Sequence, residues 1–210
     1  MTQAELIRQV SAVELPTLGH VLEDGFCDPG IRPVGEVGRM IGPAVTVDLV
    51  EPDAIAVNRA LLTLRPGSVL VIRVASGRHA PVGAVTAAAA RSRGAAGIVV
   101  EGPVTDASAL RATADILPVY ARGLTALTTK RLGTAVDGVG RDIRVGGVTV
   151  ANGDLVAGDE HGVLVIDPES VDHVLLEAAL RSDLAEPELL GRIDQGDDLG
   201  AVLVVQPENH

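Results

Sequence analysis

The chain has 210 residues, enough for one domain with a substantial core, and carries a formal net charge of −11. Hydrophobic residues make up 47% of it but aromatic residues only 1%, so the core must be aliphatic and offers little surface for stacking bases or planar cofactors. Because this negative charge also repels a phosphate backbone, we expect no binding to nucleic acid.

The sequence also contains no pattern that directs a protein to a membrane or out of the cell. No apolar run approaches the roughly 20 residues needed to cross a bilayer. The first residues lack the basic and apolar blocks of a signal peptide. Cys27 is the one cysteine of the chain and has no partner for an internal disulfide. We therefore expect a soluble cytoplasmic protein that does not bind membranes.

The first half of the chain predicts helices that alternate with strands. Asp53 is a favoured N-cap residue, and Pro66-Gly67 ends the helix that it starts. The strand that follows is short, β-branched and bounded by turn residues, which is typical of a buried strand. In chain order the predicted elements are a loosely helical segment at 4–24, a turn-rich loop at 28–33, a strand at 44–50, a helix at 53–64, a strand at 69–73 and a helix at 85–93 that ends at Gly94.

The second half changes from this alternation to hairpins. Residues 167–169, Asp-Pro-Glu, predict the start of a helix with one apolar face, and the tail from residue 182 is acidic. In chain order the predicted elements are a strand at 98–101, a helix at 106–113, a strand at 116–120, strands with tight turns at 142–167 and the helix that begins at 167–169. The whole pattern indicates α/β layers around a mixed sheet.

The stretch at residues 94–106 resembles the active-site strand of the RraA-like family. In that family a strand leads to an acidic or amide residue, a glycine, two further residues and an Arg-Asp pair. This chain has Glu101, Gly102 and then Thr105-Asp106. The family includes metal-dependent 4-hydroxy-4-methyl-2-oxoglutarate aldolases and a noncatalytic regulator of ribonuclease E. The other similar segments are residues 28–33, 38–47, 58–61, 65–71, 146–150, 153–156 and 158–163.

The resemblance extends over roughly residues 20–180 and implies a fold. It implies the swivelling β/β/α sandwich that the family shares with phosphohistidine domains, here with a C-terminal helix and tail. We expect an RraA-like domain at residues 1–181 and an acidic C-terminal extension at residues 182–210. The resemblance also implies a homotrimer or a dimer of trimers, with active sites between subunits.

The family's catalytic residues match this chain only in part. Its metal-binding Asp corresponds to Asp106, its substrate-binding Arg to Thr105, and its second Asp, which places a metal-bound water, to Ala84. The backbone N–H groups at Gly83, Ala84 and Val85 correspond to those that bind the pyruvate carboxylate. For Asp106 the alternative is an N-cap of the following helix, since Asp is among the best N-cap residues.

Charged residues near this motif are candidates to replace the missing groups. Glu101 is either a metal ligand acting through water or a residue facing the neighbouring strand. Arg73 ends a strand, and Arg78 with His79 follows in the next loop. A guanidinium binds carboxylate in a bidentate way, and an imidazole exchanges protons near neutral pH. The alternative is a solvated loop with an ion pair between subunits.

Two further patterns favour structural roles. Residues 137–142, Asp-Gly-Val-Gly-Arg-Asp, mimic the active-site motif but fall where the family has a surface turn. His161 follows two acidic residues at a predicted tight turn, which is a weak zinc signal.

The resemblance favours a lyase of the aldolase or decarboxylase type, acting on a small carboxylate-bearing 2-oxo or hydroxy acid with Mg²⁺ or Mn²⁺. A divalent cation polarises the 2-oxo group in such chemistry. The losses at Thr105 and Ala84 remove the substrate clamp and a proton-transfer partner together. A noncatalytic regulatory or binding protein, and an enzyme with different chemistry on the same scaffold, therefore remain alternatives.

Overall fold

The computed structural model describes residues 2–133 and 138–204. The helices are α1 Gln3–Ser11, α2 Leu15–Leu18, α3 Ala54–Thr63, α4 Ala84–Ser92, α5 Ala107–Arg111, α6 His173–Asp194 and α7 Leu199–Val202. The strands are β1 Arg32–Pro33, β2 Met40–Leu49, β3 Val69–Val74, β4 Gly97–Val104, β5 Val119–Leu124, β6 Ile143–Val145, β7 Val148–Val150, β8 Leu155–Asp159 and β9 Gly162–Ile166. No helix in these ranges is long and apolar enough to cross a membrane.

A seven-stranded mixed sheet forms the centre of the molecule, in the order β1-β5-β4-β3-β2-β8-β9. Strands β2, β3, β4 and β5 are mutually parallel, whereas β1, β8 and β9 pair antiparallel with their neighbours. A separate hairpin is formed by β6 and β7. The predicted α/β class with a mixed sheet is confirmed.

The central strands are buried on both faces, which explains their continuous apolar sequence. Leu70 and Ile72 of β3 face one cluster with helices α3 and α4, while Val69 and Val71 face a second cluster with the β6–β7 hairpin. Helices α1, α2 and α6 pack against β8 and β9 in a third cluster. Since side chains alternate along a strand, a single β-branched run supplies two hydrophobic cores.

The helix at 53–64 and the strand at 69–73 are found close to where they were predicted. The Asp53 carboxylate accepts the Ile55 N–H at 2.9 Å and caps α3. The strand predicted at 116–120 is displaced, because β5 begins only at Val119, just after Pro118. A proline has no N–H to contribute to a ladder, so its position before the strand is the favourable one.

The prediction that a helix starts at residues 167–169 is wrong. Helix α6 begins at His173, and the Asp172 carboxylate caps it by accepting the Val174 N–H at 2.8 Å. The Asp167 carboxylate instead accepts the Glu169 N–H at 2.8 Å, which closes a local turn. Asp-Pro-Glu therefore forms a turn, and the aspartate five residues later starts the helix.

Helix α6 continues without interruption through residues 181 and 182, where the C-terminal extension was expected to begin. Just beyond this point the Asp183 carboxylate accepts a hydrogen bond of 2.8 Å from the Thr17 hydroxyl of α2. The first residues of the expected extension are thus attached to the N-terminal helices. The division into residues 1–181 and 182–210 stays a prediction.

Candidate functional site

Asp106 lies between β4 and α5 in the left-handed backbone region, with φ 53° and ψ 42°. Every other positive φ within the described ranges belongs to a glycine. An aspartate in this conformation costs about 1 kcal/mol and is held there by its surroundings. Asp106 is the N-cap residue of α5, as the alternative predicted, but its side chain accepts no capping hydrogen bond from that helix.

The Asp106 carboxylate reaches across to the start of α4 instead. Its Oδ2 accepts the Ala84 N–H at 2.9 Å, and the neighbouring Thr105 N–H donates to the Val82 carbonyl at 2.9 Å. These two bonds join the end of β4 to the loop before α4. The motif residues Thr105 and Asp106 therefore lie beside Gly83 and Ala84, as the resemblance implied.

Glycine is favoured at position 83, because a side chain there would have to displace its neighbours. A Cβ on Gly83 would lie 2.5 Å from Asp106 Oδ2 and 2.8 Å from Thr105 Cγ2. Val85, the second residue of α4, is 84% exposed, so the helix N-terminus is open to solvent. The first N–H groups of a helix have no partner within the helix and favour a negative charge.

A cavity of about 330 Å³ lies next to this junction, lined by Thr105, Asp106, Ala107, Leu124, Thr125 and Ala126. One oxygen of Asp106 is held by Ala84, and the other accepts no hydrogen bond from the described residues. Mg²⁺ prefers oxygen ligands and commonly keeps several waters beside one or two carboxylates. The donor set therefore fits a divalent ion bound by one carboxylate and mostly by water.

Arg73 and Glu101 lie together in a different cavity, of about 350 Å³. Arg73 donates to both oxygens of Asp48, each at 2.8 Å, and these hydrogen bonds raise the pKa of Arg73. Glu101 is paired with Arg122 and accepts the Gly146 N–H at 2.6 Å. Both predicted site residues are thus held in ion pairs away from the cavity of Asp106.

These ion pairs follow from strand register. Asp48 is opposite Arg73 across β2 and β3, and Arg73 is opposite Glu101 across β3 and β4. Arg122 on β5 completes a row of alternating charge across four parallel strands. Neither Asp48 nor Arg122 was predicted from the sequence. A detectable signal was present, since each of these parallel strands carries one charged residue in its second half.

Arg78 and His79 lie in the loop between β3 and α4. A hydrogen bond of 3.1 Å joins the His79 ring to the Ser76 hydroxyl, and Arg78 is exposed. Neither residue lines the cavity of Asp106 or the cavity of Arg73. Their predicted roles as clamp and acid or base are therefore not supported by contact with either cavity in this single chain.

His161 occupies the tight turn between β8 and β9, as predicted. Its N–H donates to the Asp159 carboxylate at 2.8 Å. Asp159, Glu160 and His161 offer ligand atoms within 4.8 Å of one another and are the one such group found in the described ranges. The turn role accounts for their proximity. Of the motif at residues 137–142, Asp137 lies outside the described residues.

Comparison with known proteins finds a matching family model and a related sequence. The family model for RraA-like proteins, described as aldolase/RraA, matches residues 17–165. A relative from Halalkalibacterium halodurans is 33% identical over 183 residues, which cover 85% of each chain. That relative carries the provisional name 4-hydroxy-4-methyl-2-oxoglutarate aldolase.

Two solved structures are similar over most of this chain. One is an unusual member of the RraA family of ribonuclease inhibitors from Streptomyces coelicolor, with a TM-score of 0.72 and 23% identity over 91% of this chain and 100% of that chain. At this identity the likeness shows the fold alone. The other is the RNA-processing inhibitor RraA from Thermus thermophilis, with a TM-score of 0.61 and 28% identity over 71% of this chain and 88% of that chain.

Proposed function

Because this chain belongs to the RraA-like family, we propose that it is a divalent-metal-dependent carbon–carbon lyase of the aldolase or decarboxylase type. Its substrate is a small 2-oxo or hydroxy acid. The observation that carries the proposal is the geometry of Asp106, which adopts a left-handed backbone and has one carboxylate oxygen held by the Ala84 N–H. The second oxygen is left for a cation.

Each part of the junction has a role in this proposal. Asp106 would hold Mg²⁺ or Mn²⁺ together with water, and the ion, when bound, would supply the Lewis acidity that polarises a 2-oxo group. The carboxylate of the substrate binds the open N–H groups at the start of α4, around Gly83 and Val85. Ala84 contributes indirectly, because its own N–H is used to orient Asp106.

Binding of the substrate's carboxylate at this site is expected to be weak, because the arginine that binds it in the family is replaced by Thr105. No arginine lines the cavity of Asp106, and Arg73 is engaged by Asp48. A charged hydrogen bond contributes about 1.5–3 kcal/mol, so its loss lowers the rate by about 10- to 100-fold. Arg78 and His79, on the loop that leads to α4, remain the candidates for clamp and proton transfer.

The first test is pyruvate release from oxaloacetate and from 4-hydroxy-4-methyl-2-oxoglutarate with Mg²⁺ or Mn²⁺. We expect release above the metal-only blank in the wild type and a loss of at least about 100-fold in Asp106→Asn and Asp106→Ala, since the ion loses its one protein carboxylate. Release that persists in both variants would contradict the role of Asp106. Release no faster than the blank would remove these two reactions.

A second candidate function is noncatalytic regulation. Thr105 and Ala84 replace the two residues on which catalysis in the family depends, and one similar structure is an RNA-processing inhibitor. An acidic surface competes with RNA for basic partner proteins. This candidate predicts inhibition of RNA cleavage by a ribonuclease of the E type, at equal strength in wild type and Asp106→Asn. Absence of inhibition in the wild type would eliminate it.

A further inference from the structure

A cavity near the candidate site is lined by three arginines. It has a volume of about 630 Å³ and lies beside the C-terminal half of β5, between β1 and α5. We call it the arginine cavity. The lining residues that matter here are Gly30, Arg32, Gly35, Arg111, Arg122 and Leu124.

The three arginines of the arginine cavity differ in their charge balance. Arg122 is compensated by Glu101 and by Asp28, whose Oδ1 lies 3.0 Å from the Arg122 Nη1. Arg32 and Arg111 form no ion pair with any residue in 2–133 or 138–204. Two uncompensated cations therefore line one cavity in a chain that has 28 acidic and 17 basic residues.

Arg32 and Arg111 are exposed at the cavity, and each has a contact that restrains the stem of its side chain. A Cβ on Gly35 would lie 3.2 Å from Cγ of Arg111, so the Arg111 stem packs directly on the backbone of this glycine. Arg32 donates from Nε to the Pro29 carbonyl at 2.9 Å, which fixes its stem and leaves its terminal nitrogens available. Donors held in this way lose less entropy when they bind a ligand.

Glycine also keeps the cavity open around Arg122. A Cβ on Gly30 would lie 2.7 Å from the Arg122 Nη1 and equally close to the Asp28 carboxylate. Any larger residue at position 30 would displace this ion pair. The backbone therefore approaches the guanidinium as closely as a glycine permits.

We propose that the arginine cavity binds the carboxylate or phosphate of a small organic anion. Guanidinium groups recognise both groups through paired N–H donors. Leu124 lines both this cavity and the cavity of Asp106, so the bound group belongs to the end of the substrate remote from Asp106. The substrate then carries at least two anionic groups. This identification of the ligand rests on the proposed function, whereas anion binding does not.

The test measures binding of inorganic phosphate and of succinate by calorimetry at low ionic strength, where ion pairing is least screened. We expect saturable binding of at least one of them, and the tighter ligand identifies the anion class. Arg111→Gln and Arg32→Gln should each weaken binding by about 10- to 100-fold. Arg111→Lys, which keeps the charge, should weaken it less. Circular dichroism checks that each variant is folded.

A control variant makes the result specific. Arg59 is an exposed arginine of α3 that does not line the cavity, so Arg59→Gln removes the same charge and should leave binding unchanged. The inference is overturned if no saturable binding occurs, or if Arg59→Gln weakens binding as much as the cavity variants. Binding that depends on Arg111 without pyruvate release would remove the two tested lyase reactions and leave anion binding at this cavity intact.

Discussion

Tyr120 is the only tyrosine of the chain, and it is completely buried. Its hydroxyl donates to the Asp159 carbonyl at 3.1 Å, and burial raises its pKa. We predict that Tyr120→Phe lowers the free energy of unfolding by about 1–3 kcal/mol, because the buried carbonyl loses its donor. Urea unfolding followed by far-UV circular dichroism measures this.

The matched control for Tyr120→Phe is an exposed hydroxyl. Ser92 donates to the Ala89 carbonyl at 2.7 Å at the surface, so Ser92→Ala should change stability by no more than about 0.5 kcal/mol. Equal costs for the two variants would show that burial of the Tyr120 hydrogen bond contributes nothing.

The sequence predicted the identity of the junction residues better than their contacts. The family resemblance predicted that Asp106, Gly83 and Ala84 belong to one site, because each matches a position of the family's motif. It did not predict that Arg73 is neutralised by Asp48, since this pairing depends on the register of two strands 25 residues apart. Glu101 and Arg122 illustrate the same limit.

At the scale of elements, the end of β4 and the start of α4 lie this close because residue 83 is a glycine and has no side chain. We predict that Gly83→Ala destabilises the protein by about 1–3 kcal/mol, because the new methyl group displaces Asp106 or Thr105. Mn²⁺ binding measured by electron paramagnetic resonance should weaken in the same variant. Unchanged stability and unchanged Mn²⁺ binding would contradict the close contact.

Gly191 offers a control for the same chemical change. It lies inside α6 and a Cβ there would meet nothing within 4 Å. Gly191→Ala should therefore stabilise the protein by about 0.5–1 kcal/mol, the usual gain in a helix interior. The opposite signs expected at positions 83 and 191 separate the local clash from the general effect of alanine.

Helices and strands with clear start and stop residues were predicted from the sequence. Elements with two possible start residues were not. Helix α3 has its Asp53 cap and a clear stop, and β3 is a bounded β-branched run. The start of α6 was misplaced because two aspartates, Asp167 and Asp172, both suit an N-cap. The second of them starts the helix, and α6 then packs with the N-terminal helices in the third cluster.

At the scale of the whole molecule, we predict a homotrimer or a dimer of trimers with sites between subunits. Several large apolar side chains are exposed on the single chain, including Val50, Leu62, Val85 and Ile116. Association of copies of the chain would remove such side chains from water, which is favourable. Light scattering should give a mass three or six times that of the chain. A monomeric mass would contradict the prediction and the inter-subunit site with it.

The fold class was predictable at this scale because the alternation of strands and helices, followed by hairpins, constrains the layers. The sheet order was not, since β2 pairs with β8, which follows it only after about 105 residues of chain. Pairing over such a distance depends on which apolar faces fit together. The spacing of apolar residues along the sequence does not show which faces these are.

The two edges of the seven-stranded sheet affect how this aliphatic chain behaves at high concentration. Edge strand β1 is only Arg32 and Pro33, a cation and a residue without an N–H, so it cannot template another strand. The free side of β9 is covered by residues 25–27. The Cys27 N–H donates to the Val163 carbonyl, and the Val165 N–H donates to the Gly25 carbonyl. A protein with valine-rich strands is thereby protected against edge-to-edge aggregation, and lengthening β1 by substitution of Pro33 would remove part of that protection.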